Sequence, residues 1–345
     1  MVPLQHRIKI KTLKGVPMKK VRLKDLAQMA GVSETTVSLV LNGRPSRISQ
    51  AKRDEIEALA ELHHYRANHL ARSLSTQTTH TIGLIVPDIE NPFFATVAKV
   101  ITNTLSKEGY MVLIANSDES LEADKRLIKE LLDRQVDGLI LCVSNESNAS
   151  QAFYEKVIQK IDVPYVLLDR GYQNVDENQV LFDSYYGSYI ATQYLIEKGH
   201  TGIACITGKL DTFVGKRRLE GYTAAMADAN LHVDEAMIFE GDFRYKSAQV
   251  HVPQIIANEM ITAVFASNDI MAYALVSELL KQQDRDIEVV GYDNLELSNM
   301  FGYVIASVAQ DVEALGSHAV SILFEGIKNK KKLPNVVLKP YLHKV

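Results

Sequence analysis

LKDLAQMAGVSETTVSLVLN, residues 23 to 42, decides how the first part of the chain folds. Leu23, Leu26, Ala27 and Ala30 recur at helical spacing, so the stretch opens with a short amphipathic helix. Gly31 stands just past its end, where the backbone often needs positive φ. Ser33 then sits as an N-cap whose hydroxyl accepts from a free amide of a second helix. In that helix Val37, Val40 and Leu41 give an inner face, while Thr35, Thr36, Ser38 and Asn42 give a polar outer one. This is a helix-turn-helix, and small hydrogen-bonding side chains on its second helix suit a major groove. An ordinary capped helix pair inside a core would share the same spacing.

What surrounds the pair favours the first reading. Ser49 opens a third helix running to about Tyr65, with Ile56, Leu59 and Leu62 as its core-facing side. Residues 1 to 75 hold 14 Lys and Arg against 6 Asp and Glu, a net +8, whereas the rest holds 24 against 36, a net −12. A basic head on an acidic body is the pattern of a nucleic-acid-binding module joined to a soluble domain. At 345 residues the chain is long enough for two or more domains.

From Thr81 onward, continuous apolar runs alternate with helical patterns: 81–87, 110–116, 137–143 and 163–168, then 202–207, 236–241, 263–267 and 287–292. Runs of this kind between helices predict parallel sheets covered on both faces, and two series predict two α/β lobes. Cys142 and Cys205 both lie in apolar runs and read as small buried hydrophobes of a reducing compartment. No apolar run approaches membrane-span length and no secretory signal opens the chain, so a cytoplasmic protein with no membrane partner is expected. The sequence has no GxxxxGK[ST], no GxGxxG after a strand, no metal-spaced His/Cys set and no triad signal. The expectation is no enzyme, no metal and no cofactor. His63 and His64 end a helix, where cations favour the dipole.

Eight stretches in order carry a resemblance: AGVSETTVSLVLNG (30–43), YRANHLARSL (65–74), NPFF (91–94), LDR (168–170), GHTGIACITG (199–208), RRLEGY (217–222), FASND (265–269) and GYDN (291–294). Together the chain resembles the LacI/GalR family of bacterial repressors from about Lys19 to its C-terminus, ribose-operon repressors most of all. The implied architecture is an all-α helix-turn-helix head with a hinge helix, followed by an α/β body. That body would be periplasmic-binding-protein-like, with two parallel-sheet lobes, three crossovers and a cleft between them. The division would be an extra N-terminal segment at 1–17, a DNA-binding domain at 18–66, a hinge at 67–79 and an effector-binding and dimerisation domain at 80–345. The first 17 residues read either as a basic arm or as a start assigned upstream of Met18. The second reading is favoured, because MKKVRLKDLA is how such proteins open.

The implied partners are a pseudo-palindromic double-stranded operator, a small sugar effector and a second copy of the chain. No leucine-heptad tail follows the last lobe, so a homodimer is expected in place of a tetramer. Arg22, Lys24, Lys52 and Arg53 are candidates for phosphate contact. Ser33, Glu34, Thr35, Thr36, Ser38, Leu39 and Asn42 belong to the reading helix and its cap. Many relatives carry arginine where Leu39 stands; leucine offers only an apolar surface, suited to a thymine methyl. Glu34 either accepts from a cytosine amino group or simply favours the helix dipole. NHLARSL, residues 68–74, matches the family's hinge, with Arg72 and with Leu74 as the wedge that opens a base step.

In the body, Asn91, Phe93, Phe94, Asp169, Arg170, Arg218, Phe243, Asn268, Asp293 and Gln310 match the effector positions of the family and of ribose-binding proteins. Aromatic walls for C–H faces and charged or amide groups for hydroxyls make a sugar site. Singly, each has a plainer reading: a turn salt bridge for Asp169–Arg170, a helix cap for Asn268, ordinary core for Phe93 and Phe94. Cys142 departs from ribose-binding proteins, which carry an amide near that point. Ribose leads as effector; a catabolite-control regulator responding to a sugar phosphate or phosphocarrier protein is the alternative. A sugar-binding transport component, a distant third, would have no use for a basic head.

Overall fold

A computed structural model describes residues 21–41, 43–45, 47–65, 78–282, 285–297, 300 and 304–344. Asn42, Arg72 and Leu74, the 1–17 segment and all but the end of the hinge fall outside the described residues. The chain divides into two compact units that meet in sequence at Gln77 and Thr78.

The first unit is helical. α1 (Leu23–Ala30) ends at Gly31, whose φ of 65° lets its own amide and that of Val32 return to Gln28 O and Ala27 O. α2 (Glu34–Leu41) starts under its cap: Thr36 N donates to Ser33 Oγ at 3.2 Å. α3 (Gln50–Leu62) is capped by Ser49, which accepts from Lys52 N at 3.3 Å. Leu26, Ala27 and Ala30 pack with Val37, Val40, Ile56 and Ala60 to close a small core. Two expectations need correction. Leu62 is 72% exposed and does not face this core; Ala60, one turn on from Ile56, takes that place. Lys52 is engaged within the unit, because its Nζ donates to Ala30 O and to Glu55, each at 2.8 Å. That bond satisfies a free carbonyl at the end of α1.

The second unit runs β1 (Thr81–Val86), α4 (Pro92–Lys107), β2 (Met111–Asn116), α5 (Leu121–Asp133), β3 (Gly138–Leu141), β4 (Tyr165–Leu168), β5 (Gln179–Phe182) and α6 (Ser184–Glu197). It continues β6 (Ile203–Thr207), α7 (Phe213–Asp228), β7 (Ile238–Glu240), β8 (Ala263–Ala266), α8 (Asp269–Gln282), β9 (Glu288–Tyr292), β10 (Ala306–Ala309), α9 (Val312–Asn329), β11 (Val336–Leu338) and β12 (Tyr341–His343). Two six-stranded sheets result, ordered β11-β5-β4-β3-β1-β2 and β12-β10-β9-β8-β6-β7. All named pairings are parallel except β10 with β12.

Apolar strand runs are buried on both faces because each sheet is a middle layer. In the first lobe α4 and α9 cover one face, through Ile101, Leu105, Leu315 and Leu323, and α5 covers the other, through Ile128 and Leu131. In the second, α6 and α7 cover one face and α8 the other. Edge strands β2, β11 and β12 are less covered, with Met111, Ile114, Val337 and Tyr341 about half exposed. β5 belongs to the first lobe and α6 to the second, so the chain passes between lobes there, again after β10, and a third time between β11 and β12. These are the three crossovers the resemblance implies. Cys142 and Cys205 are free and wholly buried, and burial pushes both thiols up from their ordinary value.

Candidate functional site

Side chains at the carboxyl ends of parallel strands converge, since each strand stops there and the chain turns away. Asn91 follows β1, Asp169 and Arg170 leave β4, Phe243 follows β7, Asn268 follows β8 and Asp293 leaves β9. With Phe93 and Phe94 from α4 and Val214 and Arg218 from α7, they line one cleft between the lobes, which leaves about 20 Å³ of free space. That is room for about one water molecule, so the side chains stand close together across the cleft. Nine of the ten expected residues thus meet; Gln310 stands behind Asp293, its Nε2 donating to Oδ1 at 2.8 Å.

The backbone is strained where the cleft needs it. Asp169, Phe243 and Asp293 have φ of 62°, 70° and 101°. Positive φ in non-glycine residues costs about 1–3 kcal/mol each and persists only under constraint from the surroundings. The constraints are visible. Asp169 N donates to Val180 O and Asp293 N to Val308 O, and Asn268 Nδ2 donates to Phe243 O at 2.8 Å. Gly208 completes the cradle, because a Cβ there would lie 1.9 Å from the Phe243 ring.

Several plainer readings hold alongside. Asn268 does cap α8, its Oδ1 accepting from Met271 N at 2.9 Å, and Asn91 caps α4 by accepting from Phe93 N at 3.0 Å. Phe93 and Phe94 are also core, 4% exposed each and edge-to-face at 5.1 Å. The Asp169–Arg170 bridge is corrected. Arg170 instead makes a two-pronged pair with Glu119, at 2.7 and 2.8 Å, and donates to Val143 O at 3.1 Å. Its guanidinium stands 5.3 Å from the Phe94 ring centre and 6.0 Å from that of Phe243.

Arg218 is held differently. Its guanidinium lies 3.6 Å over the Tyr292 ring and 5.6 Å from that of Phe243, and Nη1 donates to Ser267 O. Its Nε is buried and finds no hydrogen-bond partner among the described residues. Around it burial raises the carboxyls of Asp169, Asp293 and Asp269, with the Arg218 charge opposing in each case; Asp269 reaches about 7. Burial works against the Arg170 charge, and the Glu119 carboxylate outweighs it.

Sequence reasoning missed Glu119, Asp269, Tyr292 and Val214. Glu119 had a signal, lying three residues past the carboxyl end of β2. The lobes also meet through Phe213 N, which donates to Asn148 Oδ1 at 3.0 Å. Arg244 donates across to Asp88 at 3.1 Å and to Asp118 at 2.6 Å. Among the described residues no helix is long and apolar enough to cross a membrane, and no cluster of three His, Cys, Asp or Glu could hold a metal.

A helical head and a two-lobed body with a strained polar cleft define a ligand-responsive DNA-binding protein. Residues 22–68 match bacterial regulatory proteins of the lacI family, and residues 79–344 match periplasmic binding proteins and the sugar binding domain of the LacI family. The chain belongs to the LacI family, and is a DNA-binding transcriptional repressor of that family. The HTH-type transcriptional repressor PurR of Aliivibrio fischeri is 39% identical over 315 residues, covering 89% of this chain and 92% of that protein. The lac repressor dimer bound to operator and the anti-inducer ONPF is 26% identical, with a TM-score of 0.82 over 94% of this chain and 98% of that one. A LacI family regulator from Enterococcus faecium with bound ribose is 26% identical, with a TM-score of 0.66 over 76% of this chain and 97% of that one.

Proposed function

We propose that this repressor binds a small neutral polyhydroxylated ligand in the cleft, ribose first among candidates, and that the ligand weakens its hold on operator DNA. The observation that carries this is the lining itself. Acceptor-only Asp169 and Asp293, donor-only Arg170 and Arg218, and amides Asn91 and Asn268 surround the rings of Phe93, Phe94 and Phe243. Such a mixture matches adjacent hydroxyls on an apolar ring face. The ribose-bound relative from Enterococcus faecium supports the same ligand class.

In this reading a head of residues 18–66, a hinge of 67–79 and a body of 80–345 act as a homodimer on a pseudo-palindrome. Arg22 and Lys24, both exposed, contact phosphates. Glu34, Thr35, Ser38 and Leu39 address base edges beside Ser33, Thr36 and Asn42, while Arg72 and Leu74 enter the minor groove. Linkage then requires operator to weaken ligand binding by the same factor, typically about 5- to 150-fold.

The test is fluorescence anisotropy of the protein on DNA from upstream of its own operon, titrated with D-ribose and separately with a purine base. Release by millimolar ribose supports the reading. Tighter binding with the purine base, and none of this response to ribose, would replace the effector and invert the sign. Leu74→Ala should lower operator affinity and spare ligand binding; equal loss of both would remove the hinge assignment.

A further inference from the structure

Glu119 does not line the cleft, yet its carboxylate is spent on a residue that does. Both oxygens accept from Arg170, and Oε2 also accepts from Asn145 N at 2.6 Å. The Arg170 side chain is 5% exposed and that of Glu119 16%, so this pair is shielded from water far more than a surface bridge. Two consequences follow for the cleft. The planar fork is fixed beside the Phe94 ring of its own lobe and the Phe243 ring of the other. Its positive charge is also cancelled before any ligand arrives. What remains is Arg218, faced by the carboxyls of Asp169 and Asp293.

We infer that Glu119 is a positioning residue that makes the cleft select uncharged ligands over anionic ones, by orienting Arg170 and neutralising it. This rests on the cleft being the effector site for a neutral polyol. A paired guanidinium still offers a free N–H edge and a flat face to a hydroxylated ring. A phosphate ester needs the charge that Glu119 has taken.

The experiment is calorimetric titration of the full-length wild type, Glu119→Gln and Glu119→Asp with D-ribose and with D-ribose 5-phosphate, with thermal melts to establish folding. Wild type should bind ribose and discriminate against the phosphate. Glu119→Gln removes the charge: ribose affinity should fall roughly tenfold as the two-pronged pair is lost, while phosphate affinity rises, so the preference collapses at least about tenfold. Glu119→Asp keeps the charge on a shorter stem: ribose affinity should fall while the preference stays. A merely structural role would lower both affinities together and leave the ratio unchanged in Glu119→Gln, overturning the inference. Collapse of the ratio in Glu119→Asp to the same extent would overturn it too. Wild type that binds the phosphate more tightly would overturn it directly. Wild type that binds neither probe would overturn the neutral-polyol reading itself, and this inference with it.

Discussion

The two lobes share one plan and hold their cleft arginines in opposite ways. In the first lobe Arg170 is paired with Glu119 and bonded to Val143 O, so its charge is settled within that lobe. In the second, Arg218 rests on Tyr292, leaves its Nε without a partner among the described residues, and faces carboxyls that burial has pushed upward. The first half of the site is therefore electrostatically finished. The second is not: its charge state depends on pH and on what enters the cleft. Pre-organisation and responsiveness are divided between lobes that look alike in outline.

The largest effects should come from breaking that division. Arg170→Met strands a shielded carboxylate and should cost about 3 kcal/mol at neutral pH. Arg218→Met strands only acids that can take up protons, so its cost should be small near pH 5.5 and grow toward pH 8. Melting curves at both pH values decide; equal, pH-independent losses would dissolve the contrast. Next, Asp293→Ala should weaken the ligand by roughly 100-fold, about 2.7 kcal/mol, with operator affinity unchanged. An unaltered ligand response would remove Asp293 from the site.

A signed effect belongs to Asp269. Burial lifts its carboxyl from 3.8 to about 7, against bonds from Leu295 N and Ser307 Oγ. A group with a raised native value binds more protons folded than unfolded, so stability falls as pH climbs through that interval. Asp269→Asn should flatten the descent between pH 4 and 7 and melt higher than wild type at pH 8. A steeper descent in the variant would reverse the assignment. The smallest effect is expected at Arg244, whose bonds to Asp88 and Asp118 join the lobes through a part-exposed side chain. Arg244→Ala should weaken ligand binding by no more than about fivefold, within the 0–1 kcal/mol of exposed pairs, and the difference should vanish at high salt.

Local patterns were legible from residue types. The limits of α1, the αL turn at Gly31 and the Ser33 cap follow from spacing and cap chemistry within a dozen residues. Leu62 misled because helical spacing alone does not say which turn another helix covers. Strands β1 to β4 and β6 to β9 stand out as apolar runs; β10 and β12 do not, since Ser307 and His343 interrupt or end them, and the short apolar runs of β5 and β11 lie outside the two expected series. The cleft lining was legible through the resemblance. Its internal pairing was not, because Glu119 and Arg170 are 51 residues apart and nothing local ties them.

The second crossover has a consequence for biosynthesis. A ribosome releases the first five strands early, yet their sheet receives its edge strand β11 and its covering helix α9 only when residues 312–338 emerge. Until then the surface that Leu315, Ala319, Val320 and Leu323 will cover is exposed. The first lobe to be synthesised is thus sealed only near the end of the chain, just before β12 completes the second. A message truncated after β10 should yield a chain that holds most of both sheets, cannot seal the first, and is left to chaperones and proteases.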